Sequence, residues 1–334
     1  MEVDYVTKVP SGELPDGMFL HSAASRPDLT DIIFDMNHPL IKIWPKFILM
    51  ADSNADWGPI VYKTPYLAQF QLFLVKKAPT GEECVVARAD SLPLYCARNP
   101  CKQGQHDLNI PGTEGALAGD LCEAYDLPTG SEAVVGQSVL QYYTRQGWPL
   151  PFEDPELCNS AGAVTTANPN VLSALQVAVD PAYRGLGMAE IMIQAMKALA
   201  KQEGLDALVV PLRPTRKAQY PEVDFAEYLR WGVDRNGHTE PFDPWLRKHV
   251  RLGGRPLRIA NPSMSVRAKG AVWREWTGLN LAAIAAETPR QKHSGGREYV
   301  EVPIAGGLVP LRYYPEEDQG IYDEPNVWLI HPLI

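Results

Sequence analysis

Six consecutive residues near the middle of the chain combine two glycines, one cation and the predicted start of a helix. They are Arg184, Gly185, Leu186, Gly187, Met188 and Ala189. At a helix start, backbone N–H groups lack acceptors and the helix dipole is positive. Because glycine has no Cβ, an oxygen atom can approach the main chain closely at Gly185 and Gly187. The segment favours a pyrophosphate-binding loop, whereas the two glycines taken alone favour an ordinary strand-to-helix turn.

Two other kinds of phosphate-binding loop do not fit this segment. The dinucleotide-binding pattern G-x-G-x-x-G fails because Glu190 stands at its last position. The P-loop pattern fails because no Gly-Lys-Ser/Thr follows the glycines. Any phosphate chemistry of the segment therefore belongs to another class of loop.

The elements around the segment form a predicted βαβ unit. An apolar strand begins at Val171 and ends before Asp180-Pro181, and residues 187–203 have helical apolar spacing. Gly204 stands where a left-handed C-terminal cap belongs, and residues 205–212 are a continuous apolar strand. Strand, glycine turn, helix and strand in this order are the strongest architectural signal in the chain.

Other elements are predicted on both sides of this unit. They are two short helices within 28–50, a hairpin of 70–76 with 83–89, helices over 131–146, 224–231, 243–252 and around 273–276, and strands over 255–260, 263–268, 299–304 and 308–313. Residues before about Ser25 are interpreted as a loosely held arm.

The segment and its surroundings resemble the GNAT acyltransferase superfamily. Arg184, Gly187 and Ala189 match the family's Q/R-x-x-G-x-G/A signature, and residues 177–181 resemble its strand 4 with the following turn. Residues 204–212 resemble the helix exit and strand 5. Leu252-Gly253-Gly254-Arg255 is similar to the Leu-Gly-Phe-Arg that closes the family's fourth helix.

The C-terminal half is also similar to a group of long, poorly characterised GNAT-like proteins. The shared features are residues 213–215 (RPT), 220–221 (YP), 242–245 (FDPW) and 324–328 (EPNVW). This second resemblance extends the match almost to the last residue and brings no substrate with it.

The resemblance implies a fold of the α/β (α+β) class. Its centre is a mixed, mostly antiparallel sheet whose strands 4 and 5 splay apart, with helices on both faces. We expect an N-terminal arm over 1–24, an acyltransferase core over 25–270 and a C-terminal extension over 271–334 packed on the core. An insertion at about 91–168 would interrupt the core.

The resemblance also implies acetyl-coenzyme A or another acyl-coenzyme A as co-substrate. The main chains of Val177 and Val179, with Ala178 between them, would pair with the pantetheine arm as an added strand. The backbone amides of residues 186–189 would hold the pyrophosphate, and Arg184 would add positive charge. The acceptor would then attack the thioester directly, between strands 4 and 5.

Two histidines are candidates for the proton transfers of this reaction. Many family members place an acid, Tyr, in the fourth helix, four residues before the first Gly of the closing segment, and this chain has His249 there. An imidazole can donate a proton near neutral pH, although a surface or buried structural histidine is the alternative. His38, on the helices expected to wall the acceptor site, is a candidate base, against a capping role before Pro39.

The leading functional hypothesis is transfer of an acyl group, most often acetyl, to a small-molecule amine. One alternative is a related enzyme that takes its acyl group from a carrier protein or a charged tRNA. A second is a binding protein that senses acyl-coenzyme A without turnover, because the family's Tyr and strand 4 Glu are both missing.

Composition narrows the classes of partner. The 334 residues carry a formal net charge of −9 and have a pI near 5.3, which weighs against DNA or RNA as a partner. Five cysteines without a CxxC pair predict reduced thiols, a cytoplasmic location and no structural metal. No apolar run is long enough to span a membrane. The sequence is compatible with a homodimer.

Overall fold

A ten-stranded sheet dominates the part of the chain that the structure describes. The structure is a computed structural model, and it describes residues 8–9, 12–50, 57–100, 108–113, 123–149, 165–235, 237–292 and 296–333. The strands are β1 Lys8–Val9, β2 Gly12–Glu13, β3 Met18–Ser22, β4 Gln71–Lys77, β5 Glu83–Leu94, β6 Arg98–Pro100, β7 Glu123–Tyr125, β8 Val171–Val179, β9 Ala207–Leu212, β10 Gly232–Arg235, β11 His238–Pro241, β12 Arg255–Lys269, β13 Gln291–Lys292, β14 Glu298–Val302, β15 Leu311–Tyr314 and β16 Gln319–Pro332.

The helices flank this sheet. They are α1 Pro39–Lys42, α2 Lys46–Leu49, α3 Trp57–Lys63, α4 Pro65–Ala68, α5 Ser131–Gln146, α6 Met188–Gln202, α7 Phe225–Leu229, α8 Pro244–Arg251, α9 Gly270–Thr277 and α10 Leu281–Glu287, with short 3-10 helices at Pro27–Ile33, Pro181–Tyr183, Lys217–Gln219 and Pro315–Glu317. No helix within the described ranges is both long and apolar enough to cross a bilayer.

The sheet is mixed and mostly antiparallel, as predicted. Its strand order is β13-β14-β15-β16-β9-β8-β5-β4-β3, and β12 pairs with β16. Only β8 and β9 are parallel neighbours among these strands. They are joined by α6, as a parallel pair requires a crossover connection.

The parallel pair opens towards its C-terminal end. The register of β8 with β9 runs from Val171 opposite Ala207 to Ser173 opposite Val209, although both strands continue beyond these residues. At nearly the same level a register shift interrupts the pairing of β5 with β8, between Asp90 and Ser91. A bulge of this kind increases local twist, which helps to turn β8 away from β9. The predicted splay between these strands is confirmed.

Helix α6 covers one face of the sheet at the splay. Its residues Met192, Ile193 and Met196 are fully buried, and they pack in one cluster with Leu172 and Leu208 of the two parallel strands. The helix ends at a left-handed Gly204 (φ +70°), and the N–H of Leu205 returns to the carbonyl of Ala200 over 2.9 Å. The glycine cap predicted from the sequence is therefore formed.

Three segments differ from the sequence-based expectations. Met18–Ser22, within the predicted arm, pair with β4 as the edge strand of the main sheet. The two strands expected over 255–260 and 263–268 are one strand, β12, with register shifts against β16. The 14-residue strand β16 itself was not predicted, although it lies inside the sheet between β9 and β12. The predicted domain boundaries at 24 and 270 stay predictions.

Candidate active site

The C-terminal half of β8 has one edge that pairs with no strand in the described ranges. The N–H of Asp180 donates to the carbonyl of Val86 on β5 over 2.9 Å. In a strand, the N–H and C=O of alternate residues point to opposite edges, so those of Ala178 face β5 and those of Val177 and Val179 face the other edge. That edge is where β9 has diverged. The two residues predicted to pair with pantetheine thus present their main chains at the splay.

The segment of residues 184–189, here called the glycine loop, joins β8 to α6. Gly185 and Gly187 both have left-handed backbones, with φ of +79° and +83°. A Cβ built at either position would meet no atom within 4 Å in the described structure, so the space in front of both is open. The glycines serve the backbone conformation, and the open space leaves room for a ligand against the loop.

The N-terminus of α6 is exposed at this loop. Gly187 is the N-cap residue and has no side chain that could accept a hydrogen bond. Its carbonyl accepts the first hydrogen bond of the helix, from the N–H of Glu190 over 2.9 Å. The N–H groups of Met188 and Ala189 have no acceptor within the helix. Arg184 and Leu186 are exposed beside them. This is the arrangement that binds an anionic oxygen.

His249 lies in a buried histidine pair. It is 1% exposed, and its Nδ1 is 2.9 Å from Nε2 of His331 on β16. Burial, reinforced by His331 and the nearby Lys248 and Lys197, lowers the pKa of His249 well below its usual value. Burial, with a smaller effect of Lys197, lowers the pKa of His331 to about 4. Both rings are therefore neutral at pH 7, which disfavours the acid role, and that role stays a prediction.

His38 caps α1. Its Nδ1 accepts the N–H of Leu40 at 3.2 Å, and burial lowers its pKa, a shift that Asp35 opposes. This hydrogen bond implies that the neutral ring carries its proton on Nε2, which leaves no free lone pair for a substrate proton. The geometry thus favours the capping role over the predicted base, and the base assignment stays a prediction.

Four polar side chains that sequence analysis missed meet on the sheet face opposite α6. We call Tyr62, Arg88, Asp90 and Gln176 the Arg88 network. Nη2 of Arg88 donates to Oδ2 of Asp90 over 2.9 Å, the Tyr62 hydroxyl donates to Oδ1 over 2.6 Å, and the Gln176 amide also donates to Oδ2. Arg88 is 7% and Asp90 5% exposed. The sequence signal was a cation and a carboxylate two residues apart, on one face of a mostly apolar strand, β5.

A cavity of about 680 Å³ lies elsewhere, under the β10–β11 hairpin. It is lined by Gly112, Gly237, His238, Thr239, Glu240, Pro241, Arg247, Val250 and Arg251. It touches neither the glycine loop nor the Arg88 network. Volume alone therefore does not mark the reaction site in this molecule.

No group of three or more metal-ligating side chains comes together within the described ranges. Of the five cysteines, Cys84 is exposed, Cys96 is buried, and both are free thiols. The other three, Cys101, Cys122 and Cys158, lie outside the described residues.

Comparison with known proteins gives the family. The model of the Acetyltransferase (GNAT) family matches residues 136–227, which contain the splayed strand β8, the glycine loop and α6. An arginine N-acetyltransferase of Aspergillus versicolor, AvaD, is 36% identical over 324 residues, which are 96% of each chain. The chain belongs to the GNAT family. It is an acyltransferase, as the resemblance predicted.

Solved GNAT structures align with nearly the whole chain at low identity. The loading GNAT-like domain of CurA from Lyngbya majuscula is 12% identical, covering 95% of this chain and 98% of its own, with a TM-score of 0.41. A mosquito arylalkylamine N-acetyltransferase-like protein, 5b, is 11% identical, covering 94% and 99%, with a TM-score of 0.35.

Proposed function

We propose that this enzyme transfers an acetyl group from acetyl-coenzyme A to the amine of a free amino acid, with arginine as the first candidate acceptor. The acceptor is suggested by the 36%-identical relative, which is named for acetylating arginine. The observation that carries the proposal is the edge of β8 that no described strand pairs with, beside the exposed helix start of α6. The edge of β8 suits an extended arm that carries amides, and the helix start suits a pyrophosphate.

The chain's own groups would hold the donor through the backbone. Val177 and Val179 would hydrogen-bond the two amides of the pantetheine arm as a strand does, with Ala178 facing β5. The N–H groups of Met188 and Ala189, with the loop at Gly185 and Leu186, would take the phosphate oxygens, and the positive end of α6 would stabilise their charge. Arg184, which is exposed, would add attraction that salt weakens.

The nitrogen that reacts is expected to be the α-amine. A guanidinium keeps its proton at neutral pH because its pKa lies far above that range, whereas an α-amine has a much lower pKa and gives the neutral, nucleophilic form more readily. The neutral amine attacks the thioester carbonyl, a C–N bond forms and the C–S bond breaks. The amine loses one proton and the departing thiolate gains one. Solvent can carry both, and no described histidine is assigned to either step.

The proposal also includes the class of acceptor, the location of the protein and its oligomeric state. The net charge of −9 supports a small-molecule acceptor and weighs against a nucleic acid. A cytoplasmic location and a homodimer are expectations from the sequence, and fractionation and sedimentation would check them.

The proposal is tested by turnover. Purified protein, acetyl-coenzyme A and arginine should release free thiol, and mass spectrometry should show one acetyl group on the α-nitrogen of arginine. Calorimetry should show binding of coenzyme A without any acceptor. Protein that binds neither coenzyme A nor acetyl-coenzyme A would refute the donor assignment. Binding without acetylation of arginine or any other amino acid would refute the acceptor assignment.

A further inference from the structure

Arg88 is a buried cation on the sheet face that α6 does not cover. It lies on β5 directly opposite Ala178 of β8. Ala178 packs in an apolar cluster with Leu40 and Ala68 of the N-terminal helices, whereas α6 packs against the other face. An acceptor that reaches the splay from the face opposite α6 would therefore meet Arg88 and not the glycine loop.

Asp90 fixes the guanidinium in one orientation. The carboxylate accepts from Arg88, Tyr62 and Gln176 together. Burial lowers the pKa of Arg88, but the charge of Asp90, the electrostatic effect of Tyr62 and the hydrogen bond to Asp90 together outweigh burial and raise the pKa, so the guanidinium stays protonated. Since Asp90 lies opposite Gln176 in the register, the head of Arg88 lies level with Gln176, one residue from the open main chain of Val177.

Two of the three guanidinium nitrogens of Arg88 have no hydrogen-bond partner among the residues that the structure describes. Nε and Nη1 of Arg88 are buried and make no hydrogen bond to any residue the structure describes, and together they carry three N–H bonds. Unmet donors on a buried charge are costly, so such groups are normally paired. Arg213 shows the paired case, because its Nε and Nη2 bind the carboxylate of Glu324 at 2.8 and 3.0 Å and Nη2 also donates to the Gly306 carbonyl.

We propose that Arg88 binds the α-carboxylate of the acceptor and so selects amino acids over amines that lack a carboxylate. This inference rests on the proposed function. An α-amino acid carries its carboxylate one carbon from the attacking nitrogen, so the cation that binds it has to lie beside the thioester. The guanidinium of Arg88 lies at the start of the splay, which meets that requirement. Its free N–H groups would form charge-assisted hydrogen bonds.

Two further buried groups extend this polar lining. Ser173 of β8 and Trp328 of β16 lie on the same face of the sheet by the strand register, since Ser173 is opposite Leu92 and Val209, and Trp328 is opposite Pro211. Ser173 Oγ and Trp328 Nε1 also lack hydrogen-bond partners in the described part of the chain. They are available to polar groups of an acceptor side chain whose carboxylate is held at Arg88.

The test compares arginine with agmatine, which is arginine without its carboxylate. In the wild type, kcat/KM for arginine should exceed that for agmatine by about 100-fold, because a site built around a polar group rejects an analogue that lacks it. In Arg88→Gln, kcat/KM for arginine should fall about 100-fold while that for agmatine changes less than about threefold. Arg88→Lys, which keeps the charge beside Asp90, should restore part of the preference.

Arg213→Gln is the matched control. Its arginine is half-buried and bound to a carboxylate, so this variant should lose thermal stability and keep the wild-type ratio of arginine to agmatine. If Arg88→Gln does not fold, Arg88→Lys takes its place and should raise KM for arginine and not for agmatine. Calorimetry should give the same coenzyme A affinity for every folded variant.

The contrary results separate a failure of the role of Arg88 from a failure of the proposed function. A wild-type ratio near one, or equal losses for both substrates in Arg88→Gln, would overturn the role of Arg88 and leave the acetyltransferase intact. Acetylation of agmatine but not of arginine would do the same. No acetylation of any amino acid or amine would overturn the proposed function and this inference with it.

Discussion

The glycine loop and the Arg88 network are built in opposite ways. The loop is six consecutive, mostly exposed residues, and its binding groups are backbone atoms. The network is four side chains on three elements, in which Tyr62 and Gln176 stand 28 and 86 residues from Asp90 and the central ion pair is buried. A backbone site depends on local conformation, whereas a side-chain site depends on which strands the topology brings together.

The largest effect is expected from a substitution that blocks the glycine loop. Gly187→Trp should weaken coenzyme A binding by at least about 100-fold, because the indole would occupy the open space in front of the helix start. The substitution also strains a left-handed backbone, at about 1 kcal/mol. Calorimetric titration with coenzyme A measures the effect.

Gly204→Trp provides the matched control for this loss. Gly204 is at the other end of α6, has φ of +70° and also faces open space, so the strain is comparable. Its affinity for coenzyme A should equal that of the wild type. Equal weakening in both variants would assign the effect to the helix and remove the pyrophosphate site from the loop.

The His249–His331 pair is a second buried side-chain site, and burial of a titratable group makes the stability of the protein depend on pH. Burial lowers the pKa of His331 from 6.5 to about 4, so between these values the unfolded chain binds more protons than the folded one. The free energy of unfolding should therefore fall as the pH falls from 7 to 4, by about 3 kcal/mol from His331 alone. Urea unfolding measured across this range checks it.

His331→Gln should flatten this pH dependence, while lowering stability at pH 7 because His249 loses its partner. The glycine loop contains no group that titrates in the same range, so Gly187→Trp should keep the wild-type slope. A slope that is unchanged in His331→Gln would show that other groups carry the acid lability.

The smallest expected effect is on catalysis at His249. Since its ring is buried and neutral, His249→Asn should leave kcat within about threefold at a temperature where the variant is folded, and should cost about 1–3 kcal/mol of stability. A fall of about 100-fold in kcat, with loss of one limb of the pH–rate profile, would instead establish the acid role. The rates are measured at saturating acetyl-coenzyme A, so that a change in coenzyme affinity does not affect the comparison of kcat.

The parts of the fold that the sequence predicted are those with local signals. The glycine loop, the helical period of α6 and the cap at Gly204 all lie within about twenty residues, and each is formed. The splay of β8 from β9 was predicted from the family resemblance and is confirmed. Roles for individual residues at the splay stay predictions.

The parts that were missed depend on distant residues. Strand β16 contains Gly320, Pro325 and two acidic side chains, which obscure a strand pattern, and it is stabilised by pairing on both sides. Arg88 and Asp90 stand together in the sequence, but Tyr62 and Gln176 reach them only through the sheet and α3. His249 was placed correctly on its helix, yet its partner His331 is 82 residues away, so its burial had no local signal.

The position of β16 has a consequence for how the protein is made. Because β16 fills the place between β9 and β12, the ribosome has to synthesise residues 319–332 before either strand gains its neighbour on that side. Until then the nascent chain presents two unpaired strand edges, one of them the strand that borders the splay. Pairing of these two strands is thus completed only after residues 319–332 have emerged from the ribosome, and a chaperone that shields strand edges would act on this protein before that point.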